Sequence, residues 1–239
     1  MSTYNYEKTS ISILKSFAID GPTAVGKSVI GRGLASTLGL FFCDTGLMYR
    51  AATLAVLNEN IKFEDESAIV DCVRRAAIDL VWDVPEIPLV LMHGENVSTY
   101  LREPKIDESV SSVARLPEVR SILVDRQRTI ARRSPVIMVG RDIGKVILPE
   151  ARAKVFMDAS LDERARRRLT DEVSAGRAVT FTQVRESIAS RDKADNTGHR
   201  SIEPEQAAVD AVLVDTDGLT ESEVIIKCVK TYEEANDGI

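Results

Sequence analysis

Cysteine is scarce in this chain of 239 residues: Cys43, Cys72 and Cys228 are the only three, an odd number with no CxxC spacing. That argues against a disulfide framework and points to a reduced, cytoplasmic location, where an unpaired cysteine in an apolar run acts as a small hydrophobe. Histidine is scarcer still. His93 and His199 stand isolated, so neither a histidine metal centre nor a Ser/His/Asp set can be assembled. No apolar run approaches the ~20 residues that span a bilayer, and the opening MSTYNYEKTSISILK has no signal-peptide core. Basic residues are not in excess. A formal net charge of -6 does not suit a protein that neutralises many phosphates along a nucleic acid, so the cations here serve locally. These absences exclude membrane and nucleic-acid partners and leave small molecules, with the chain read as a monomer. Repeats and low-complexity linkers are missing too, so 1–239 reads as one domain behind a frayed tail of about ten residues.

What is present is enough apolar sequence, 44%, to bury a full core. Short apolar runs at Ser16–Asp20, Leu40–Cys43, Val136–Val139, Lys154–Asp158 and Ala211–Asp215 are each followed by a turn and a helical pattern. This alternation predicts an α/β three-layer sandwich on a five-stranded parallel sheet. Val29, Ile30, Leu34 and Leu38 share one face of the first helix, and Gly39 should stop it. From about 58 to 134 the rhythm breaks. Ile78–Val84 and Pro88–Met92 read as two strands joined to a third short extended piece, and Asp107–Arg115 and Pro117–Arg132 as helices. This stretch is taken as an insertion between core segments at about 16–57 and 135–239.

Gly21-Pro22-Thr23-Ala24-Val25-Gly26-Lys27-Ser28 fits G-x-x-x-x-G-K-[ST] in full, between a predicted strand and a predicted helix that begins near Val29. Glycines let the backbone turn its N–H groups toward phosphate oxygens, and the helix N-terminus adds a partial positive charge. Lys27 would neutralise the terminal phosphates of ATP, and Ser28 would ligate Mg²⁺. A chance match in a chain of this length is on the order of one per cent from glycine frequencies alone. The loop by itself does not separate kinases from switch or motor NTPases. Basic residues after later strands, Arg50 and Arg141, lie where open α/β sheets bind ligands, and an arginine fork suits phosphate.

Further motifs join the loop: DTGLMYR at Asp44–Arg50, VGRDIGKVILPEARAKVFMDAS at Val139–Ser160, the segment from Arg191, then Pro204, Asp210–Thr216 and Gly218-Leu219-Thr220. In this order they resemble the bacterial-type cytidylate kinases, in the nucleoside monophosphate kinase superfamily of P-loop kinases, from Phe17 to about Val229. The resemblance implies transfer of the terminal phosphoryl group of ATP to CMP, and to dCMP. It also implies that the insertion is a small antiparallel-sheet subdomain holding the acceptor, and that a helical lid spans about 160–180. Arg50 and Arg141 are then the acceptor-phosphate clamp, while Ser111, Arg120 and Asp142 read the base and Thr45 lines the same pocket. The carboxylate accepts from the cytosine amino group where uracil would present an acceptor. Ser109 and Ser112 adjoin Ser111, and a helix-cap role is open to any of the three. Arg164, Arg167 and Arg168 share a face of the lid helix, Arg167 and Arg191 stabilise charge at the transferring group, and Asp195 reaches the ribose. One departure stands out. The family places an arginine three residues after that aspartate, whereas here Gly198-His199 delays Arg200 by two positions, and an outward turn is expected to return Arg200 to the site. The rivals are a kinase for UMP, AMP or shikimate, and a nucleotide-dependent switch that would not need Arg50, Arg141 and Arg191 together.

Overall fold

The computed structural model describes residues 11–196 and 203–235. The tail expected at 1–10, and the Gly198-His199 turn with Arg200, lie outside the described residues. After a helical turn at 11–14 come β1 (Phe17–Asp20), α1 (Lys27–Leu38), β2 (Phe41–Asp44) and α2 (Thr45–Asn58). Then follow α3 (Glu66–Arg75), β3 (Asp79–Val84), β4 (Ile87–Met92), β5 (Glu95–Asn96), α4 (Pro104–Ala114) and α5 (Pro117–Arg133). The chain finishes with β6 (Val136–Val139), β7 (Ala153–Asp158), α6 (Leu161–Ser174), α7 (Phe181–Asn196), β8 (Val212–Asp215) and α8 (Glu221–Glu234).

Five strands form a parallel sheet in the order β2-β6-β1-β7-β8, and β3, β4 and β5 form an antiparallel one. The expected α/β class and five-stranded parallel sheet are therefore present. All four residues of β1 and of β6 are buried, which is why these runs read as continuous apolar stretches rather than as alternation. Alternate side chains still face opposite ways: Phe17, Ile19 and Phe42 pack beneath α1 and α8, while Ala18, Cys43 and Met138 pack under α2 and α5. The main sheet is thus sandwiched between helical layers. The three cysteines are all buried and free, in keeping with their apolar neighbourhoods.

The small sheet lies against the β2 edge. Trp82 Nε1 donates to Phe42 O at 2.7 Å, and Phe42 N donates to Pro85 O at 2.8 Å, so a strand edge that would otherwise invite pairing is covered. Several boundaries shift for local reasons. Ser16 falls before β1, with its hydroxyl on Ser12 O at 2.9 Å and receiving Val136 N at 3.0 Å. Leu40 is still closing α1, its N–H on Ala35 O at 3.1 Å beyond left-handed Gly39 (φ 65). α4 starts at Pro104, not Asp107, because proline is preorganised for the first helical position. Val29 is 45% exposed rather than inward; the buried face of α1 is Ile30, Gly31, Leu34 and Ala35.

Gly31 is there because α1 lies close on the sheet: a Cβ would come 2.6 Å from the Phe42 ring and 2.8 Å from Val139 Cγ1. Gly31→Ala should gain helix propensity yet lose about 1–3 kcal/mol to overpacking, read as a lower urea midpoint with an unchanged slope. A more stable variant would mean that α1 can lift off the sheet without penalty.

Candidate active site

At Gly21 the loop after β1 turns so tightly that a side chain is excluded. Gly21 has φ 146, and a Cβ there would lie 2.2 Å from Met157 O; Ala24 (φ 61) and Gly26 (φ 99) are also left-handed. The carbonyls of this loop collect cations. Lys27 Nζ donates to Gly21 O at 2.8 Å and Pro22 O at 2.6 Å, and Arg141 Nη1 donates to Gly21 O at 3.0 Å. Arg164 reaches Thr23 O at 3.0 Å and Arg167 reaches Val25 O at 3.2 Å. Burial, with Arg141 close by, holds the Lys27 ammonium well below the usual lysine range. A group so placed gains more from an arriving polyanion than a solvated lysine would.

A cleft of about 240 Å³ opens beside the loop. Its walls bring together, from distant parts of the chain, Thr23, Lys27, Ser28, Thr45, Arg50, Ser111, Arg120, Arg141, Asp142, Arg191 and Asp195. Thr45 Oγ1 donates to Val139 O at 3.0 Å. Arg50 is anchored to Leu101 O at 3.0 Å and to Asp107 Oδ1 at 2.5 Å, which ties α2 to the insertion. Arg141 bonds Asp195 Oδ2 at 2.9 Å and Thr23 Oγ1 at 2.6 Å, so Asp195 here meets a guanidinium. Arg120 and the buried Asp142 form an ion pair. Burial lowers the Arg191 pKa from its usual value, and the like charge of Arg141 lowers it further.

Other sequence-derived residues lie elsewhere. Gly21, Pro22, Val25, Gly26 and Val29 shape the loop and the start of α1 without lining the cleft. Arg167 is also outside it, held by Thr216 Oγ1 at 3.0 Å, Thr216 O at 2.7 Å and Glu163 Oε1 at 3.1 Å. Arg164, Arg167 and Arg168 do not act as one face: Arg164 is buried against Asp192 at 2.6 Å, while Arg168 points outward to Glu172 at 2.7 Å.

Two carboxylates at strand ends escaped the sequence reading. Asp44 closes β2, accepts from Gly46 N at 2.9 Å and receives Ser28 Oγ at 2.8 Å. Asp20 closes β1, is buried, and accepts from Ile143 N at 2.6 Å and Gly144 N at 2.8 Å. Burial is the main cause of its raised pKa, about 6. Its bonds bind the phosphate-loop strand to the turn that carries Arg141 and Asp142. The position itself was the available signal, since ligand crevices form beyond carboxyl ends of parallel strands. Among the described residues no cluster of three or more His, Cys, Asp or Glu is arranged to hold a metal, and no helix is long and apolar enough to cross a membrane.

Comparison with known proteins follows the same lines. The family description "Cytidylate kinase" matches residues 17–234. A cytidylate kinase of Caldanaerobacter subterraneus subsp. tengcongensis is 43% identical over 95% of this chain and 99% of its own length. One from Desulforamulus reducens is 40% identical over 92% of this chain and 97% of its own. A solved structure of an uncharacterized protein from Eubacterium ventriosum ATCC 27560 covers 92% of this chain and 99% of its own at 11% identity and TM-score 0.51, a likeness of fold alone.

Proposed function

Since this chain belongs to the cytidylate kinase family, we propose that it transfers the terminal phosphoryl group of ATP to CMP, and to dCMP, in the cleft between the phosphate loop and the insertion. The observation that carries the reading is the convergence of Lys27, Arg50, Arg141 and Arg191 on one cleft beside a paired Arg120 and Asp142. Four cations suit two phosphate groups brought face to face, and a paired cation and carboxylate suit a base edge.

Phosphoryl transfer needs positioning and charge more than covalent chemistry. Lys27 exchanges its loop carbonyls for phosphate oxygens of ATP, and loop N–H groups cradle the rest. Arg50 and Arg141 hold the phosphate of CMP in line, Arg191 bridges donor and acceptor, and Asp195 accepts from the ribose; Arg200 joins it if the Gly198-His199 turn folds outward. Ser111, Arg120 and Asp142 read the base with Thr45 beneath. Ser28 and Asp44 offer a hydroxyl and a carboxylate, hard oxygen donors that fit Mg²⁺. When bound there, Mg²⁺ neutralises charge on the phosphates of ATP. We read residues about 58–134 as the acceptor-binding part and about 160–180 as a lid that carries Arg164 and Arg167, within a single monomeric domain in the cytoplasm.

The test is turnover with ATP, Mg²⁺ and each nucleoside monophosphate in turn. CMP should be phosphorylated far faster than UMP or AMP, because a buried carboxylate that accepts from the cytosine amino group faces an acceptor when uracil binds. Asp142→Ala should then erode the CMP-over-UMP preference in kcat/KM by about tenfold or more. Equal rates with UMP and CMP in the unaltered protein would refute the base assignment.

A further inference from the structure

On α5 the buried stripe runs Val119, Leu123, Val124, Gln127, Ile130 and Ala131. Gln127 is its one polar member and is fully buried, and neither Nε2 nor Oε1 has a hydrogen-bond partner among the described residues. A carboxamide stranded in this way has given up its water without replacing it, so a buried glutamine with both ends open calls for a ligand or water. It lines the same cleft as Ser111, Arg120 and Asp142. Seven residues separate it from Arg120, two helical turns on one face. Its mount is firm: the neighbouring Arg128 donates to Val146 O at 2.7 Å, locking α5 to the turn that follows Asp142.

We propose that Gln127 is a further substrate-binding residue, its buried carboxamide hydrogen-bonding the base edge of the pyrimidine monophosphate that the cleft accepts. The inference rests on the reading of the cleft as a CMP site. A primary amide sets a donor beside an acceptor, matching the cytosine edge, where an acceptor nitrogen adjoins the amino group. Rotated by half a turn it serves uracil equally well. Gln127 therefore supplies affinity and orientation, while the choice between CMP and UMP stays with the carboxylate of Asp142.

Gln127→Met keeps length and volume and deletes both polar ends. The KM for CMP should rise about tenfold, with the KM for ATP unchanged, kcat little altered and the CMP:UMP preference intact. The protein alone should melt at the same temperature or higher, because no internal bond is lost. A structural glutamine predicts the opposite pair of results. An unaltered KM for CMP, or a Tm lowered by more than about 5 °C, overturns the proposal, and Gln127→Leu must repeat the pattern. The unaltered enzyme separates the two ideas. If it makes no CDP, the CMP reading fails; if it turns over normally and Gln127→Met matches it, only this inference fails.

Discussion

Lys27→Ala should cost about a thousandfold in kcat/KM and leave a protein that melts within a few degrees of its parent. The two halves of that expectation have one origin. In the fold the ammonium sits on Gly21 O and Pro22 O, two charge-assisted bonds worth about 1.5–3 kcal/mol each, but its burial beside Arg141 pulls its pKa down and opposes them. Loss of the bonds and relief of the burial penalty nearly cancel. Nothing cancels during turnover, because the alanine variant offers no charge to the transferring phosphate. Steady-state rates with ATP and CMP, beside a thermal melt, decide the matter. A folded variant that keeps a tenth of normal turnover would show that the loop does not hold the transferring group.

Asp20→Ala should damage both stability and rate. The carboxylate ties Ile143 N and Gly144 N to the end of β1, and its removal strands two buried N–H groups at about 1–3 kcal/mol each. Arg141 and Asp142 immediately precede those amides, so kcat/KM should fall by about tenfold or more, measured where the variant is still fully folded. The pH dependence has a defined sign. The folded pKa is raised to about 6 from 3.8, so between those values the folded state binds more protons than the unfolded one. Stability contributed by Asp20 is therefore greatest on the acid side and declines as pH rises from about 4 to about 6, by an amount of order 3 kcal/mol. Urea melts across this range should show the advantage of the wild type over Asp20→Ala shrinking toward pH 6. A gap that widens with pH would mean that Asp20 is ionised well below pH 6 in the folded protein.

The legible parts of the fold were those governed by local pattern. Buried parallel strands announce themselves as short continuous apolar runs, and the phosphate loop as glycines at fixed spacing; both lie where expected. The inward face of α1 was misjudged at Val29 because helical spacing cannot tell a residue on the rim of a face from one at its centre, and because Gly31, with no side chain, gives no apolar signal while marking the closest approach. In the site, Arg50, Arg120, Arg141 and Asp142 could be picked out by motif and strand-end position, and all line the cleft. The partners of each cation could not. That Arg167 is held by Thr216, or that Asp195 meets Arg141, depends on α6 and α7 packing against the loop, which no local spacing encodes. Gln127 lay open to a closer reading: a glutamine in an otherwise apolar helical stripe breaks the periodicity at one place, and a break of that kind marks a function or a strain.

The strand order has a consequence for how the chain comes to be folded. β6 lies between β2 and β1, yet it is synthesised after the whole insertion; its first amide, on Val136, bonds Ser16 Oγ from 120 positions away. Until β6 arrives, β1 and β2 have no shared neighbour, and Phe17, Ile19 and Phe42 have α1 to pack on but lack Ile137 and Val139 beside them. Such long-range closure slows folding and leaves sticky strand edges exposed in the meantime. A nascent chain on the ribosome must hold its first sixty residues unfinished until Val139 has left the exit tunnel, and fragments that stop short of it should be clients for chaperones rather than folded pieces.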